Sequence, residues 1–228
     1  MTALFDMDGT LFPGDSQLRF ARFIQHRHFW RRIYLLPLLP VVVLRACGAV
    51  DTDYLKRAFL SITWGMSAEQ LDADCAAFVQ QELLPAMYPE VKERLLAHQA
   101  AGDTTVLCSA SPGWWTRHMG RALGFNYTLG TPMETGDSVP LMPAIGEPGN
   151  NKGQNKVTRL RNLAITKADV AYTDSAADEP MMGLCEKAVL VCPKDDFRAR
   201  HPEAEVLDLP AGRKCRGPLF ILRCLLGL

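Results

Sequence analysis

Two carboxylates one residue apart follow a short apolar segment near the start of the chain. Residues 3–5 are continuously apolar, as in a strand buried on both faces, and Asp6, Asp8 and Gly9 follow at once. The glycine lets the backbone turn so that both carboxylates face one site. One of them can then act as a nucleophile while the other serves as acid and base. The alternative is a polar turn after a strand, which the same residues would also satisfy.

Two further segments carry groups that can hold phosphate. Ser109 and Ala110 follow the apolar run 104–108, where a hydroxyl and the next backbone N–H groups can bind phosphate oxygens. Lys156 opens a helical segment and can supply a fixed positive charge; Lys152 competes for this role. The alternatives are an ordinary helix-capping serine and a solvated lysine.

Asp174 and Asp178 form a second pair of acids, directly after the apolar residues 170–172. Their spacing of one helical turn lets both face a hard cation, and Mg²⁺ is typically held by one or two carboxylates, water and substrate phosphate. Without such an ion a cluster of acids would repel an anionic substrate. The alternative is a helix with acids in its first turn, which is common.

The elements that must position these groups alternate along the chain. Apolar runs predict strands, and segments between them predict helices; the strands are expected at 3–5, 104–108, 170–172 and 188–191, and the helices at 89–100, 114–123, 156–164 and 179–185. This alternation predicts an α/β fold with a Rossmann-like parallel sheet and with chemistry at the carboxyl ends of the strands.

The stretch between the first two predicted strands is too long for a loop in a compact domain. Residues 16–88 hold no convincing strand and are rich in Leu, Ala, Arg and aromatic residues, so they predict an inserted α-helical cap. The catalytic core is then discontinuous, over 1–15 and 89–228. Residues 130–149, with four prolines and four glycines, predict a hairpin or loop on the core.

The order of these motifs resembles the haloacid dehalogenase-like (HAD) superfamily, and the early helical insertion resembles its phosphoserine phosphatase-like branch. The matching segments are D-x-D-G-T at Asp6, a strand-ending Ser109, a helix-opening Lys156 and D-S-x-x-D at Asp174. The resemblance implies a phosphatase in which Asp6 attacks phosphorus and forms an aspartyl-phosphate. Asp8 would protonate the leaving oxygen and then activate water.

The same resemblance implies the ligands of the phosphoryl group and of Mg²⁺. Ser109, the backbone at Ala110 and Lys156 would hold the phosphoryl oxygens. The Mg²⁺ cofactor would bind Asp6, the backbone carbonyl of Asp8, and Asp174, with Asp178 in support.

The substrate depends on residues in and near the cap. Phosphoserine phosphatases carry Glu nine residues after the nucleophile to bind the substrate amine, and Asp15 stands there in this chain. Arg19 and Trp114 are further specificity candidates, and Trp114 would alternatively pack in the core. Residues 31–43, with Trp64 and Gly65 further along, are similar to bacterial phosphatidylglycerophosphatase C, which implies a membrane-lipid phosphate such as phosphatidylglycerophosphate. The alternatives are a soluble phosphatase of a metabolite like phosphoserine or histidinol phosphate, and a non-catalytic membrane-binding module.

The composition limits the partners. The 228 residues carry 25 basic and 25 acidic side chains, which argues against a nucleic-acid partner, but residues 16–50 hold six arginines and residues 211–228 hold four basic residues, without any acid. These segments favour peripheral contact with an anionic membrane, unless the apolar run 34–44 packs in the cap. No signal peptide fits, and no apolar run reaches the roughly 20 residues of a spanning helix, which predicts a cytoplasmic protein, peripheral on the inner face of the membrane if it binds lipid. Seven cysteines without a C-x-x-C pair predict neither disulfides nor zinc.

Overall fold

The computed structural model of the chain describes residues 1–35, Val41 and 48–209. Within this part the strands form one six-stranded parallel sheet in the order β3-β2-β1-β4-β5-β6. The strands are β1 (Thr2–Phe5), β2 (Thr104–Pro112), β3 (Tyr127–Thr131), β4 (Ala168–Thr173), β5 (Cys185–Val191) and β6 (Glu205–Leu207). The predicted α/β class with a parallel sheet is confirmed.

Every described element between β1 and Pro89 is helical, as the sequence predicts. These elements are α1 (Ser16–Arg27), a 3₁₀ segment (Phe29–Leu35), α2 (Thr52–Phe59), a second 3₁₀ segment (Leu60–Thr63), α3 (Ala68–Phe78) and a π-helical turn (Val79–Leu83). The remaining helices are α4 (Pro89–Ala100), α5 (Gly113–Ala122), α6 (Gln154–Asn162), α7 (Glu179–Met182) and α8 (Asp195–Arg200), with a 3₁₀ turn at Ala176–Asp178. The division into core and cap domains stays a prediction.

Two strands, the short helix α8 and the end of α7 differ from the sequence-based prediction. β3 overlaps the start of the segment 130–149 that was predicted as a hairpin or loop, and β6 lies where no strand was predicted. Both are short edge strands with partly exposed side chains, so neither shows the continuous apolar run of a central strand. The helix predicted at 179–185 ends at Met182, since Cys185 already pairs with Ala168 in the sheet.

An aromatic cluster packs the inserted helices against the core. Phe20 of α1 stacks on Trp115 of α5 with ring centroids 4.7 Å apart, and Phe78 at the end of α3 meets both rings edge to face. All three side chains are almost fully buried. Aromatic pairs of this kind contribute about 0.5–1.5 kcal/mol beyond their buried area, and here they hold α1 against α5.

The insertion leaves and re-enters the core at neighbouring points. The backbone N–H of Tyr88, just before α4, donates to the carbonyl oxygen of Leu11, just after β1, at 2.8 Å. The two connections to the inserted helices are therefore joined directly by a hydrogen bond.

Two segments singled out in the sequence fall wholly or largely outside the described residues. They are the apolar run 34–44, of which Tyr34, Leu35 and Val41 are described, and the basic segment 211–228. Their predicted packing or membrane contact therefore stays a prediction. In the portion that the structure describes, no helix is long and apolar enough to cross a bilayer.

Candidate active site

The predicted site residues converge at the carboxyl edge of the three central strands. Because β2, β1 and β4 are adjacent and parallel, the residues that follow them meet at one edge of the sheet. Asp6 and Asp8 follow β1, Asp174 follows β4, and Ser111 lies near the end of β2. Together they line a cleft of about 510 Å³.

Lys156 contributes a buried positive charge to this cleft. Its Nζ lies 2.6 Å from Asp6 Oδ1 and 2.7 Å from Asp178 Oδ1, and the side chain is almost fully buried. Burial alone would lower the pKa of Lys156, but the carboxylates of Asp178 and Asp6 raise it above its ordinary value, so the ammonium stays charged. Lys152 also lines the cleft, as an exposed residue, and the assignment of the phosphate-binding role to Lys156 stays a prediction.

Asp178 anchors this lysine. Its Oδ1 accepts from Lys156, and its Oδ2 accepts from the hydroxyl of Thr173 at 2.8 Å. Both carboxylate oxygens of this buried residue are therefore engaged by protein groups. The geometry links Asp178 to the position of Lys156, and its predicted support of a metal ion stays a prediction.

The carboxyl groups of Asp6 and Asp8 both hold protons more tightly than usual. Burial raises the pKa of Asp6 to about 6, against the opposing pull of the Lys156 ammonium. Burial, together with the negative charge of Asp15, raises the pKa of Asp8 to about 7. Raised pKa values at two desolvated carboxyl groups in one cleft are typical of catalytic sites.

Asp174 lies against the backbone that follows Asp8. A Cβ atom built on Gly9, which has φ +79°, would come 2.4 Å from Asp174 Oδ2. Only glycine therefore leaves room for this carboxylate beside the turn. The carboxylates of Asp6 and Asp174 and the carbonyl of Asp8 are oxygen donors of the kind that Mg²⁺ prefers, and their predicted role as its ligands stays a prediction. Among the described residues no three His, Cys, Asp or Glu form a group that could hold a metal ion.

The end of β2 differs from the expectation at Ser109. Its hydroxyl is buried away from the cleft and accepts the N–H of Ser111 at 3.0 Å. The hydroxyl that reaches the cleft is that of Ser111, which sequence reasoning missed although it stands two residues further on. Ala110 lines the cleft as predicted, and its carbonyl oxygen accepts from Thr131 Oγ1 at 2.6 Å.

Lys56 of α2 is a second cleft residue that the sequence did not predict. Its Nζ donates to the carbonyl of Ala110 at 2.6 Å and to Asn150 Oδ1 at 2.7 Å, and Asn150 in turn donates to Asp53 of α2 at 2.6 Å. Burial lowers the pKa of Lys56 to about 8. These bonds join an inserted helix to the core at the cleft. No local sequence motif around Lys56 predicts them.

The three specificity candidates take different places. Asp15 lines the cleft, but its Oδ1 also caps α1 by accepting the N–H groups of Gln17 and Leu18 at 2.8 and 3.1 Å. Arg19 donates to the carbonyl of Pro13 at 2.8 Å and is not part of the cleft wall. Trp114 is 3% exposed and packs in the core, so it does not line the cleft either.

The chain is similar to known proteins over most of its length. Residues 3–183 match the family model described as haloacid dehalogenase-like hydrolase. The chain is similar to a phosphoserine phosphatase of Mycobacterium tuberculosis, with 29% identity over 223 residues, 93% of this chain and 72% of the relative. It is similar also to the histidinol-phosphatase of Neisseria meningitidis serogroup C, with 24% identity over 88% of this chain and 94% of the relative.

Among solved structures, a protein of unknown function from Bordetella pertussis Tohama I superposes with a TM-score of 0.76 and 22% identity. The match covers 91% of this chain and 97% of the other. At this identity the likeness supports the fold alone. The similarity of residues 31–43 to phosphatidylglycerophosphatase C stays a prediction.

Proposed function

The chain belongs to the haloacid dehalogenase-like hydrolase family, and on that premise we propose that it is a phosphatase that hydrolyses phosphate monoesters of small metabolites. The observation that carries the proposal is the contact of the buried Lys156 ammonium with Asp6, in the same cleft as Asp8. A nucleophile, an acid and base, and a fixed positive charge are the parts that phosphoryl transfer requires.

In the proposed reaction the carboxylate of Asp6 attacks phosphorus and forms an aspartyl-phosphate as the ester oxygen leaves. Asp8 gives its proton to that oxygen and then takes a proton from the water that hydrolyses the intermediate. Lys156 offsets the negative charge that develops on the phosphoryl oxygens, and Ala110 lines the same cleft.

Mg²⁺ is the proposed cofactor. Asp6, Asp174 and the carbonyl of Asp8 would hold it, and when bound it neutralises part of the charge on the phosphate. Asp178, whose oxygens are engaged by Lys156 and Thr173, keeps the lysine in place beside it.

The proposed substrate class follows from the relatives and from Asp15. Phosphoserine and histidinol phosphate, the substrates in the relatives' names, are small phosphate esters that also carry an amine. The cleft of about 510 Å³ suits a substrate of that size, and Asp15 places a carboxylate on its wall. This carboxylate, which is separate from those of Asp6 and Asp8, can pair with the cationic amine of such a substrate.

A membrane-lipid phosphate, such as phosphatidylglycerophosphate, is the second candidate. One observation favours it: Phe29, Trp30 and Ile33 are exposed by 73%, 51% and 61% on the first 3₁₀ segment, which contains the exposed Arg32 and follows the exposed Arg27. Exposed aromatic and aliphatic side chains beside arginines suit an anionic membrane surface. The protein would then bind peripherally to the inner face of the membrane.

Replacing Asp6 with Asn tests the proposed chemistry. In Mg²⁺ buffer the wild-type protein should hydrolyse p-nitrophenyl phosphate and form acid-stable phosphoprotein, whereas Asp6→Asn should do neither. Asp137→Asn, at an exposed acid, is the matched control and should behave as wild type. Hydrolysis by Asp6→Asn at the wild-type rate would contradict the assignment of Asp6 as the nucleophile. An inactive wild-type protein would favour the non-catalytic membrane-binding module.

The substrate class is tested by comparing kcat/KM for phosphoserine, histidinol phosphate and phosphatidylglycerophosphate in mixed micelles. Cosedimentation with phosphatidylglycerol vesicles provides a separate measurement. Salt-sensitive binding that is lost in Trp30→Ala, but kept in the exposed control Leu141→Ala, would favour the lipid candidate. A preference for the soluble esters without vesicle binding would favour the small-metabolite phosphatase.

A further inference from the structure

Asn150 joins an inserted helix to the end of the sheet. Its amide oxygen Oδ1 accepts from Lys56 Nζ at 2.7 Å, and its amide nitrogen Nδ2 donates to Asp53 Oδ1 at 2.6 Å. Asp53 and Lys56 are three residues apart on α2 and therefore share one face of that helix. Thr131, the last residue of β3, lies on the other side, with its Oγ1 3.0 Å from Asn150 Oδ1. One side chain thus contacts both α2 and the sheet.

The backbone around Asn150 is tied to neighbouring core elements. The carbonyl oxygen of Asn150 accepts from Asn155 Nδ2 on α6 at 2.9 Å, and the N–H of Asn151 donates to Thr131 Oγ1 at 3.1 Å. Asn151 is fully buried, and its Nδ2 donates to the carbonyl oxygen of Ser109 at 2.9 Å. Asn150 is therefore a fixed point on which α2 docks.

The orientation of the Asn150 amide follows from its two partners on α2. An ammonium group only donates, so the amide atom that faces Lys56 is the oxygen. A carboxylate only accepts, so the atom that faces Asp53 is the nitrogen. A side chain that lacks either the donor or the acceptor would break one of the two contacts.

Through Lys56 this contact reaches the backbone at Ala110. The carbonyl oxygen of Ala110 accepts from Lys56 Nζ and from Thr131 Oγ1, each at 2.6 Å. The N–H of the same peptide unit, which belongs to Ser111, donates to Ser109 Oγ at 3.0 Å. Because the peptide unit is planar and is held at both polar ends, it cannot turn without breaking a hydrogen bond.

We infer that Asn150 is a positioning residue of the proposed phosphatase. It holds Lys56 against the carbonyl of Ala110 and so fixes the backbone that is expected to hold the phosphoryl oxygens, but only while α2 is docked on the core. Backbone donors stabilise a transition state only when they are aimed at the developing charge. Asn150 therefore couples the docking of an inserted helix to the chemistry, and this role rests on the proposed function.

Replacing Asn150 with Ala tests the role through the split between kcat and KM. In Mg²⁺ buffer the variant should lower kcat on p-nitrophenyl phosphate by about 10-fold and change KM by less than about twofold, because the lost aim matters mainly in the transition state. Asn162→Ala, at an exposed amide at the end of α6, is the matched control and should behave as wild type. Melting temperatures check that each variant is folded.

Two inhibitors separate positioning from a general loss of structure. Vanadate adopts the five-coordinate geometry of phosphoryl transfer, whereas inorganic phosphate stays tetrahedral. Asn150→Ala should therefore weaken inhibition by vanadate by about 10-fold and inhibition by phosphate by less than about twofold. A purely structural change would weaken both alike.

Asp53 supplies a second variant, because it contacts Asn150 but does not line the cleft. Asp53→Ala should lower kcat by about 3-fold, and adding it to Asn150→Ala should cause no further loss, since both act through one contact. The single Asp53 variant also tests the role if Asn150→Ala does not fold.

The outcomes distinguish this role from the proposed function. An active wild-type protein with unchanged kcat in Asn150→Ala, or in Asp53→Ala where only that variant folds, overturns the positioning role and leaves the phosphatase standing. Equal weakening of vanadate and phosphate inhibition, or losses that multiply in the double variant, do the same. A wild-type protein that does not hydrolyse p-nitrophenyl phosphate overturns the proposed function and the positioning role with it.

Discussion

The ammonium nitrogen of Lys156 lies 2.6 Å from Asp6 Oδ1, inside a site where both side chains are almost completely shielded from water. The contact couples the proposed nucleophile to the stability of the fold, because removal of the ammonium would leave the carboxylates of Asp6 and Asp178 buried without their shared cation. Substitution of Lys156 is therefore expected to lower both activity and stability. The loss of stability is expected to depend on pH.

Lys156→Met should abolish phosphatase activity and destabilise the protein by about 3 kcal/mol at pH 8. The loss of stability should be smaller at pH 5. Burial already raises the pKa of Asp6, and the variant lacks the ammonium that opposes this rise, so its folded form takes up a proton at acid pH that the unfolded chain does not. The stabilising effect of that proton is present at low pH and is lost as the pH rises. Urea unfolding at both pH values, with chelator present, measures the difference.

The exposed Lys167→Met serves as the control for this substitution and should leave both activity and unfolding unchanged. An equal loss of stability at pH 5 and pH 8 in Lys156→Met would contradict the buried pair.

Gly9→Ala should remove activity because its Cβ would meet the carboxylate of Asp174 at 2.4 Å. Gly102→Ala is a close control: its φ of +74° matches the +79° of Gly9, but a Cβ there meets nothing within 4 Å. Both variants carry the strain of a left-handed backbone, about 1 kcal/mol. Only Gly9→Ala should also lose hydrolysis of p-nitrophenyl phosphate. Equal activity in the two variants would argue against the close approach of Asp174.

Removal of divalent metal should abolish hydrolysis, and added Mg²⁺ should restore it. Asp174→Asn should raise the Mg²⁺ concentration for half-maximal activity by at least about 10-fold, since a neutral amide is a weaker ligand than a carboxylate. The exposed Asp196→Asn is the control. An unchanged Mg²⁺ requirement in Asp174→Asn would exclude this residue as a ligand.

Lys56 should make the stability depend on pH in the alkaline range. Burial lowers its pKa to about 8 in the fold, whereas the unfolded chain releases this proton near 10.5, so the unfolded state binds more protons between these values. Stability from this group therefore rises with pH above about 8. The unfolding free energy of wild type relative to Lys56→Met should increase by about 1–2 kcal/mol from pH 7 to pH 9.5.

Chemical denaturation across that range checks the slope. The exposed Lys92→Met removes a lysine without removing a desolvated charge, so its difference from wild type should stay flat. A flat profile for Lys56→Met as well would show that Lys56 is not buried as the structure places it.

The central strands could be predicted from the sequence because burial on both faces leaves a continuous apolar run. β1, β2, β4 and β5 carry that signature, and Asp6, Asp8 and Asp174 were expected at one edge because they follow such runs. β3 and β6 lie at the two edges of the sheet, where side chains are partly exposed and the signature fades.

The roles of Ser109 and Ser111 could not be assigned in the same way. The pairing of β2 with β3 shifts register between Cys108 and Pro112, and such an irregularity changes which side chains face the cleft. Lys56 reaches the cleft from an inserted helix through contacts distant in sequence, which no local pattern encodes.

The hydrogen bond from Tyr88 to Leu11 makes the insertion exchangeable in principle. Since the chain departs and returns at one place, a change in the length of the inserted segment need not displace the segments that flank it, and doubling the length of a closed loop costs only about 0.6 kcal/mol. Segments of different length and polarity that keep the contacts of Phe20 and Lys56 with the sheet side can therefore be grafted between these two points, which offers a route to redesign the substrate range while the catalytic carboxylates stay on their strands.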